Sequence, residues 1–152
     1  QSRRQMWDIL RDLKRRGRTI LLTTHYMDEA ERLCDRVAVV DHGKVIALGS
    51  PAELIRSLGG DHVVEFSVEA GPGENGVDLE ALRGLPSVRS ARAEGEATQL
   101  TVAEPHVAIP ALLELLGARS GRGARALSNL STRHASLEDV FVSLTGRHLR
   151  DE

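Results

Sequence analysis

Residues 19–24 (TILLTT) are the feature that most restricts how this chain of 152 residues can fold. The run is β-prone and apolar throughout, as is typical of an interior strand of a parallel sheet. A parallel strand has to be reached by a crossover connection, which is usually a helix. We therefore predict an α/β fold in which this strand follows a helix.

The segment in front of it fits the crossover helix. Met6, Ile9, Leu10 and Leu13 recur at helical spacing and predict one buried stripe, and Gly17 stands where the helix should end. Basic residues cluster near that end. We interpret them as a solvated terminus, because cations there favour the helix dipole.

His25 directly follows the predicted strand. In open α/β sheets ligands bind at the carboxyl ends of the strands, so its position makes His25 the candidate functional residue. A structural role is the alternative for any single histidine. A short amphipathic helix is expected next, with a solvated acidic face made of Asp28, Glu29 and Glu31.

A β-hairpin is predicted around Asp41-His42-Gly43, with Gly43 in a positive-φ position. The apolar run that ends in Asp41 also resembles the magnesium-binding strand of nucleotide hydrolases. We reject a metal site there, because His42 replaces the expected acid and the turn explains the sequence by itself. A further helix is expected from Ser50 to about Leu58.

The remaining chain has a different pattern, and Gly59-Gly60 is a plausible hinge before it. Alternating and helical periods predict the order β-α-β-β-α-β, which is ferredoxin-like. The predicted strands are His62 to Val68, Val88 to Ala93, Gln99 to Ala103 and Arg125 to Leu130; the helices are Leu79 to Leu85 and one containing Ile109, Leu112, Leu113 and Leu116, with Pro110 in its first turn.

A last helix is predicted at the C-terminal end. Ser136 and Asp139 have capping-box spacing, Leu137 to Leu144 carries one apolar stripe, and Gly146 ends it. This helix either closes the core of its own domain or contacts the N-terminal part or a second subunit. The sequence leaves these alternatives open.

Composition excludes several classes of protein. Hydrophobic residues make up 41% and charged residues 28%, and no apolar run approaches the ~20 residues of a membrane span. The net charge of −2 gives no reason to expect nucleic acid as a partner. The histidines and the single cysteine, Cys34, lack metal-site spacing, so we predict no metal site.

The segment LLTTHYMDEAERLCDRVAVVDHGKVIALGSPAEL closely resembles the region after the Walker B motif in ATP-binding subunits of ABC transporters, above all the daunorubicin-resistance-like drug-export group. ASLEDVFVSLTG, residues 135–146, resembles the ending of their accessory domain. The resemblance implies that His25 is the switch histidine, which contacts the ATP γ-phosphate. It also implies the C-terminal edge of a P-loop ATPase domain at residues 1–58 and a ferredoxin-like accessory domain at 61–152.

The resemblance covers only the last part of an ATPase domain. The sequence has no G-x-x-x-x-G-K-[ST] loop, no signature motif and no strand that ends in Asp-Glu. We expect a fragment that does not hydrolyse ATP by itself. The full form would use ATP and Mg²⁺, pair with a second ATP-binding subunit and a membrane-spanning permease at the cytoplasmic membrane face, and export a drug-like or lipophilic substrate. The alternative is a free-standing binding or dimerisation module with no nucleotide role.

Overall fold

A computed structural model describes residues 2–68, 77–118 and 127–146. It is a mixed α/β protein with two antiparallel sheets, which confirms the predicted class at that level. The helices are α1 Ser2–Arg15, α2 Met27–Leu33, α3 Pro51–Arg56, α4 Leu79–Arg83, α5 Pro105–Ala118 and α6 Leu137–Thr145; the strands are β1 Val37–Asp41, β2 Lys44–Gly49, β3 His62–Val68, β4 Val88–Glu94, β5 Ala97–Val102 and β6 Leu127–His134.

The chain forms two compact units. One contains the chain up to Ile55 together with the chain from Ser136 onward, and the other runs from Arg56 to Ala135. None of the described helices is long and apolar enough to cross a bilayer.

The predicted strand at residues 19–24 is absent. The backbone there belongs to no strand, and the Leu21 side chain is 94% exposed. A strand is held by hydrogen bonds to its neighbours. The described strands of this unit, β1 and β2, pair with each other, and neither pairs with residues 19–24.

Helix α1 forms as predicted and is followed by Gly17 at a φ of +76°. Its apolar stripe, however, is largely exposed at Met6, Ile9 and Leu13. The predicted burial is therefore wrong for the described structure, although the periodicity was correctly assigned to a helix.

The predicted hairpin is confirmed. Strands β1 and β2 pair antiparallel from Val37 opposite Gly49 to Asp41 opposite Lys44. His42 and Gly43 both have positive φ angles, of 46° and 73°, as tight hairpin turns require.

The second unit is a four-stranded antiparallel sheet in the order β4-β5-β3-β6, with α4 between β3 and β4 and α5 between β5 and β6. Strand β3 has the predicted bounds, and residues 125 and 126 of the predicted last strand lie outside the described ranges. The core consists of Val64, Phe66, Leu82, Ala91, Leu100, Val102, Ala108, Leu112 and Leu116.

Two details of this unit differ from the prediction. Helix α5 starts at Pro105, so Pro110 lies inside the helix and not in its first turn. The Gly59-Gly60 pair is packed against the unit: a Cβ at Gly60 would lie 2.7 Å from the Val102 carbonyl oxygen, and Gly59 accepts a hydrogen bond from Arg89. Gly60 is thus required for a close backbone approach.

Helix α6 begins and ends as predicted. Ser136 and Asp139 form the capping box, and Gly146 has a φ of 72°. Its buried face packs against α2, and the backbone N–H of Leu137 donates to the Glu31 carboxylate at 3.2 Å. Of the two alternatives for this helix, the structure therefore contains the contact with the N-terminal segment.

Candidate functional site

His25 occupies a bend between residues 19–24 and α2, and its side chain is exposed. Its ring lies against that of Tyr26, with 4.1 Å between the centroids. An exposed imidazole can donate a hydrogen bond to a ligand in the solvent or accept one from it.

The residues on either side of His25 are tied to each other and to α2. The backbone N–H of Tyr26 donates to the Thr24 hydroxyl at 3.0 Å. The Tyr26 carbonyl in turn accepts from the N–H groups of Glu29 and Ala30, at 3.1 and 3.3 Å, which begins the helix. The backbone at His25 is therefore held by a short turn and the start of a helix.

Glu29 is the centre of the polar contacts behind this turn. Only 6% of the residue is exposed. Its carboxylate accepts hydrogen bonds from Arg3 Nε at 2.6 Å, Thr24 Oγ1 at 2.9 Å and Trp7 Nε1 at 3.3 Å. Through Thr24, the network reaches the residue directly before His25.

The solvated face predicted for α2 is therefore wrong at Glu29. Asp28 is exposed and lies 3.6 Å from Arg3, and Glu31 is exposed but bonded to α6. Sequence reasoning missed Glu29 because its donors come from a distant helix. The signal in the sequence was Arg3 and Trp7, which are four residues apart and so share one face of α1.

The hydrogen bond from Arg3 holds the pKa of Glu29 below its ordinary value, although burial acts in the opposite direction. Hydrogen bonds from Thr24 and Trp7 add to the lowering. The same contact with Glu29 raises the pKa of Arg3, whose guanidinium also lies over the Tyr26 ring at 4.2 Å from its centroid. Arg3 thus contacts both the buried acid and the neighbour of His25.

A groove of about 910 Å³ lies beside His25 within the N-terminal unit. Its walls are formed by residues 19–25, by parts of α1, α2 and the hairpin, and by Phe141. Most of the side chains that line it are apolar. The groove therefore combines an apolar surface with several basic side chains, and His25 is one of its lining residues.

The other polar candidates do not form a site. Asp41 ends β1 and His42 begins the hairpin turn, as predicted, with 3.8 Å between their side chains. Within residues 2–68, 77–118 and 127–146, no three His, Cys, Asp or Glu side chains gather as metal ligands. Burial raises the pKa of the Cys34 thiol, which makes it a poorer nucleophile.

Comparison with known proteins finds relatives over nearly the whole chain. It is 42% identical over 153 aligned residues to the Nod factor export ATP-binding protein I of Ralstonia nicotianae, covering 99% of this chain and 44% of the relative. The corresponding protein of Cupriavidus pinatubonensis is 43% identical, covering 99% and 42%. The linearmycin resistance ATP-binding protein LnrL of Bacillus subtilis is 33% identical, covering 99% and 47%.

The chain thus spans less than half the length of these curated relatives. No family model matches it.

Proposed function

Because the chain belongs to the ATP-binding subunits of ABC export systems, we propose that its N-terminal part, residues 1–58, is the last part of an ATP-hydrolysing domain and that His25 is its switch histidine. The observation that carries the proposal is the exposed imidazole, held by a turn that is anchored on the buried Glu29. A preorganised donor next to a transferring phosphoryl group lowers the barrier without reorganising during the reaction.

The role of His25 in this proposal is to hydrogen-bond a γ-phosphate oxygen and to help place the attacking water. Catalysis of phosphoryl transfer consists almost entirely of positioning and charge stabilisation, so a fixed side chain matters more than a reactive one. Thr24 and Glu29 would contribute by holding the backbone on either side of His25. ATP is the substrate in this reading.

Mg²⁺ accompanies ATP in the family, and the described residues do not provide a ligand set for it. Asp41, the residue nearest in pattern to a magnesium ligand, is the last residue of β1, beside His42. In a complete subunit the ion would be held by residues other than these.

Uncovered apolar surface supports the proposal that the N-terminal unit is part of a larger domain. Ile9, Leu21, Val40, Val45 and Leu48 are all large and exposed. Leaving such side chains in water forfeits roughly 25 cal/mol for each Å² that could be buried. The remaining strands of an ATPase sheet would cover them.

For residues 61–152 we propose an accessory domain whose sheet part, up to Ala135, is ferredoxin-like and whose last helix, α6, packs against α2 of the N-terminal unit. The sheet order β4-β5-β3-β6, with two crossover helices, supports that topology.

We further propose that the complete subunit dimerises, docks on a membrane-spanning permease at the cytoplasmic face, and exports a drug-like or lipophilic substrate. Relatives named for Nod factor export and for linearmycin resistance support this substrate class.

The test is a substitution in the complete subunit. His25→Ala should lower ATP turnover by about 10²-fold and leave nucleotide affinity nearly unchanged, because the contact acts mainly in the transition state. His42→Ala, another exposed histidine of this unit, is the matched control and should retain full turnover. Normal turnover in His25→Ala would return His25 to a structural role.

The chain by itself should neither bind ATP with micromolar affinity nor hydrolyse it, since its sequence lacks the phosphate-binding loop. Calorimetric titration with ATP and Mg²⁺ measures this directly. Micromolar binding, or ATP turnover above the blank, would contradict this expectation.

A further inference from the structure

Two histidines connect β3 to the edge strand β6 in the second unit. His62 and His134 are direct partners in the antiparallel register. Their ring centroids are 4.7 Å apart, and the ring planes are inclined by 39°. The two imidazoles therefore face one another from adjacent strands.

The hydrogen-bond pattern explains why the rings approach so closely. The backbone N–H of Ala135 donates to the Asp61 carbonyl at 2.9 Å, so residues 61 and 135 form a hydrogen-bonded pair. Such pairs alternate with non-hydrogen-bonded pairs, whose side chains lie closer together. Residues 62 and 134 are the next pair and belong to the close type.

One ring nitrogen of this pair lacks a partner. Nδ1 of His62 is buried and has no hydrogen bond to any residue that the structure describes. A buried polar atom without a partner is costly, and in a native protein such an atom calls for an explanation, of which a bound water or ion is one.

We propose that His62 and His134 together bind a divalent transition-metal ion of the class that prefers imidazole: Ni²⁺, Cu²⁺ or Zn²⁺. A metal–nitrogen distance of about 2.1 Å places two imidazoles on adjacent coordination positions with their ring centroids roughly 4.6 to 5.3 Å apart. The observed 4.7 Å lies in that range. One nitrogen of each ring would hold the shared ion.

Water completes the coordination in this proposal. Among the described residues no third histidine, cysteine or carboxylate joins the pair as a ligand group. Two imidazoles without a carboxylate discriminate against Mg²⁺ and Ca²⁺, which require oxygen ligands. Because the ligands lie on different strands, the ion would cross-link β6 to β3.

The proposal does not depend on the ATPase assignment, and it is tested on the chain as it stands. Nickel chloride is titrated into the protein by calorimetry, and thermal unfolding is followed with and without Ni²⁺. We expect one Ni²⁺ per chain and a rise in Tm with Ni²⁺ concentration. His62→Gln and His134→Gln should each weaken Ni²⁺ binding by about tenfold or more and remove the rise in Tm.

His42→Gln and His106→Gln are the controls. Both residues are exposed and lie outside the pair, so these variants should bind Ni²⁺ as the wild type does. His134 is also exposed, so His134→Gln decides the question by itself if His62→Gln does not fold. Absence of Ni²⁺ binding, or wild-type binding in His134→Gln, would overturn the proposal and leave a ring contact only.

Discussion

Glu29 shows how one residue can connect separate parts of the N-terminal unit. It is acidic and sits on a short polar helix, yet it is buried because α1 brings two donors to it and Thr24 brings a third. A carboxylate can be buried at tolerable cost only when its oxygens are bonded in this way. The turn that carries His25 is consequently held in place by the hydrogen bond between Thr24 and Glu29.

Replacing this acid by its neutral isostere should destabilise the unit. Glu29→Gln keeps the volume but removes the charge that Arg3 bonds, so we expect the free energy of unfolding to fall by about 1–3 kcal/mol. Asp28→Asn is the matched control, because that exposed residue lies 3.6 Å from the same guanidinium and should change stability by less than about 0.5 kcal/mol. Urea denaturation followed by the fluorescence of Trp7, the single tryptophan, measures both.

The lowered pKa of Glu29 also predicts a pH dependence. Folding lowers this pKa from its ordinary value of 4.5, so the ionised carboxylate stabilises the protein above that pH. The contribution is lost as the pH falls from there through the lower pKa of the folded state. The difference in free energy of unfolding between the wild type and Glu29→Gln should therefore be largest near neutral pH and decrease in acid. A difference that stayed constant down to about pH 2 would contradict this assignment.

Among the helices, α6 is the one whose partner matters most. Its start and end are encoded locally, by the capping box and by Gly146. Its buried face, with Leu137, Val140 and Phe141, packs in the unit that contains α1 and α2. Stability of the N-terminal unit should therefore depend on residues more than 100 positions away in the sequence.

Phe141→Ala tests this dependence. The side chain is 3% exposed, so its removal should cost about 3 kcal/mol of stability in the N-terminal unit. Leu144→Ala, on the same helix but 48% exposed, should cost far less. Trp7 fluorescence reports this unit selectively. If Phe141→Ala left the Trp7 transition unchanged, α6 would not be part of that core.

For the whole molecule, the two compact units predict which fragment can fold. Residues 56–135 contain the four-stranded sheet, both of its helices and its full buried cluster, so we expect them to unfold cooperatively in isolation. A longer fragment, 56–152, adds α6 without the unit on which α6 packs. Its free energy of unfolding should exceed that of the short fragment by less than about 1 kcal/mol. Urea denaturation of both, followed by circular dichroism, makes the comparison. A clearly more stable long fragment would show that α6 closes the core of the sheet unit.

Much of the fold follows from the sequence by itself. The hairpin at Asp41 to Gly43, the capping box at Ser136 and Asp139, and the order of elements from β3 to β6 were all predictable. These features depend on turn residues, caps and the period of apolar residues. Such interactions act over a few positions and are visible in a linear chain.

Only the tertiary structure decided the remainder. Residues 19–24 have the composition of a strand but no described strand beside them, and strand formation requires hydrogen bonds to a neighbour. Glu29 looked solvated because its donors, Arg3 and Trp7, lie 26 and 22 positions away. The partner of α6 was undetermined because an apolar stripe specifies burial but not the surface that buries it. Non-local contacts depend on which distant parts of the chain come together in the fold. The spacing of residues within one short segment does not specify those partners.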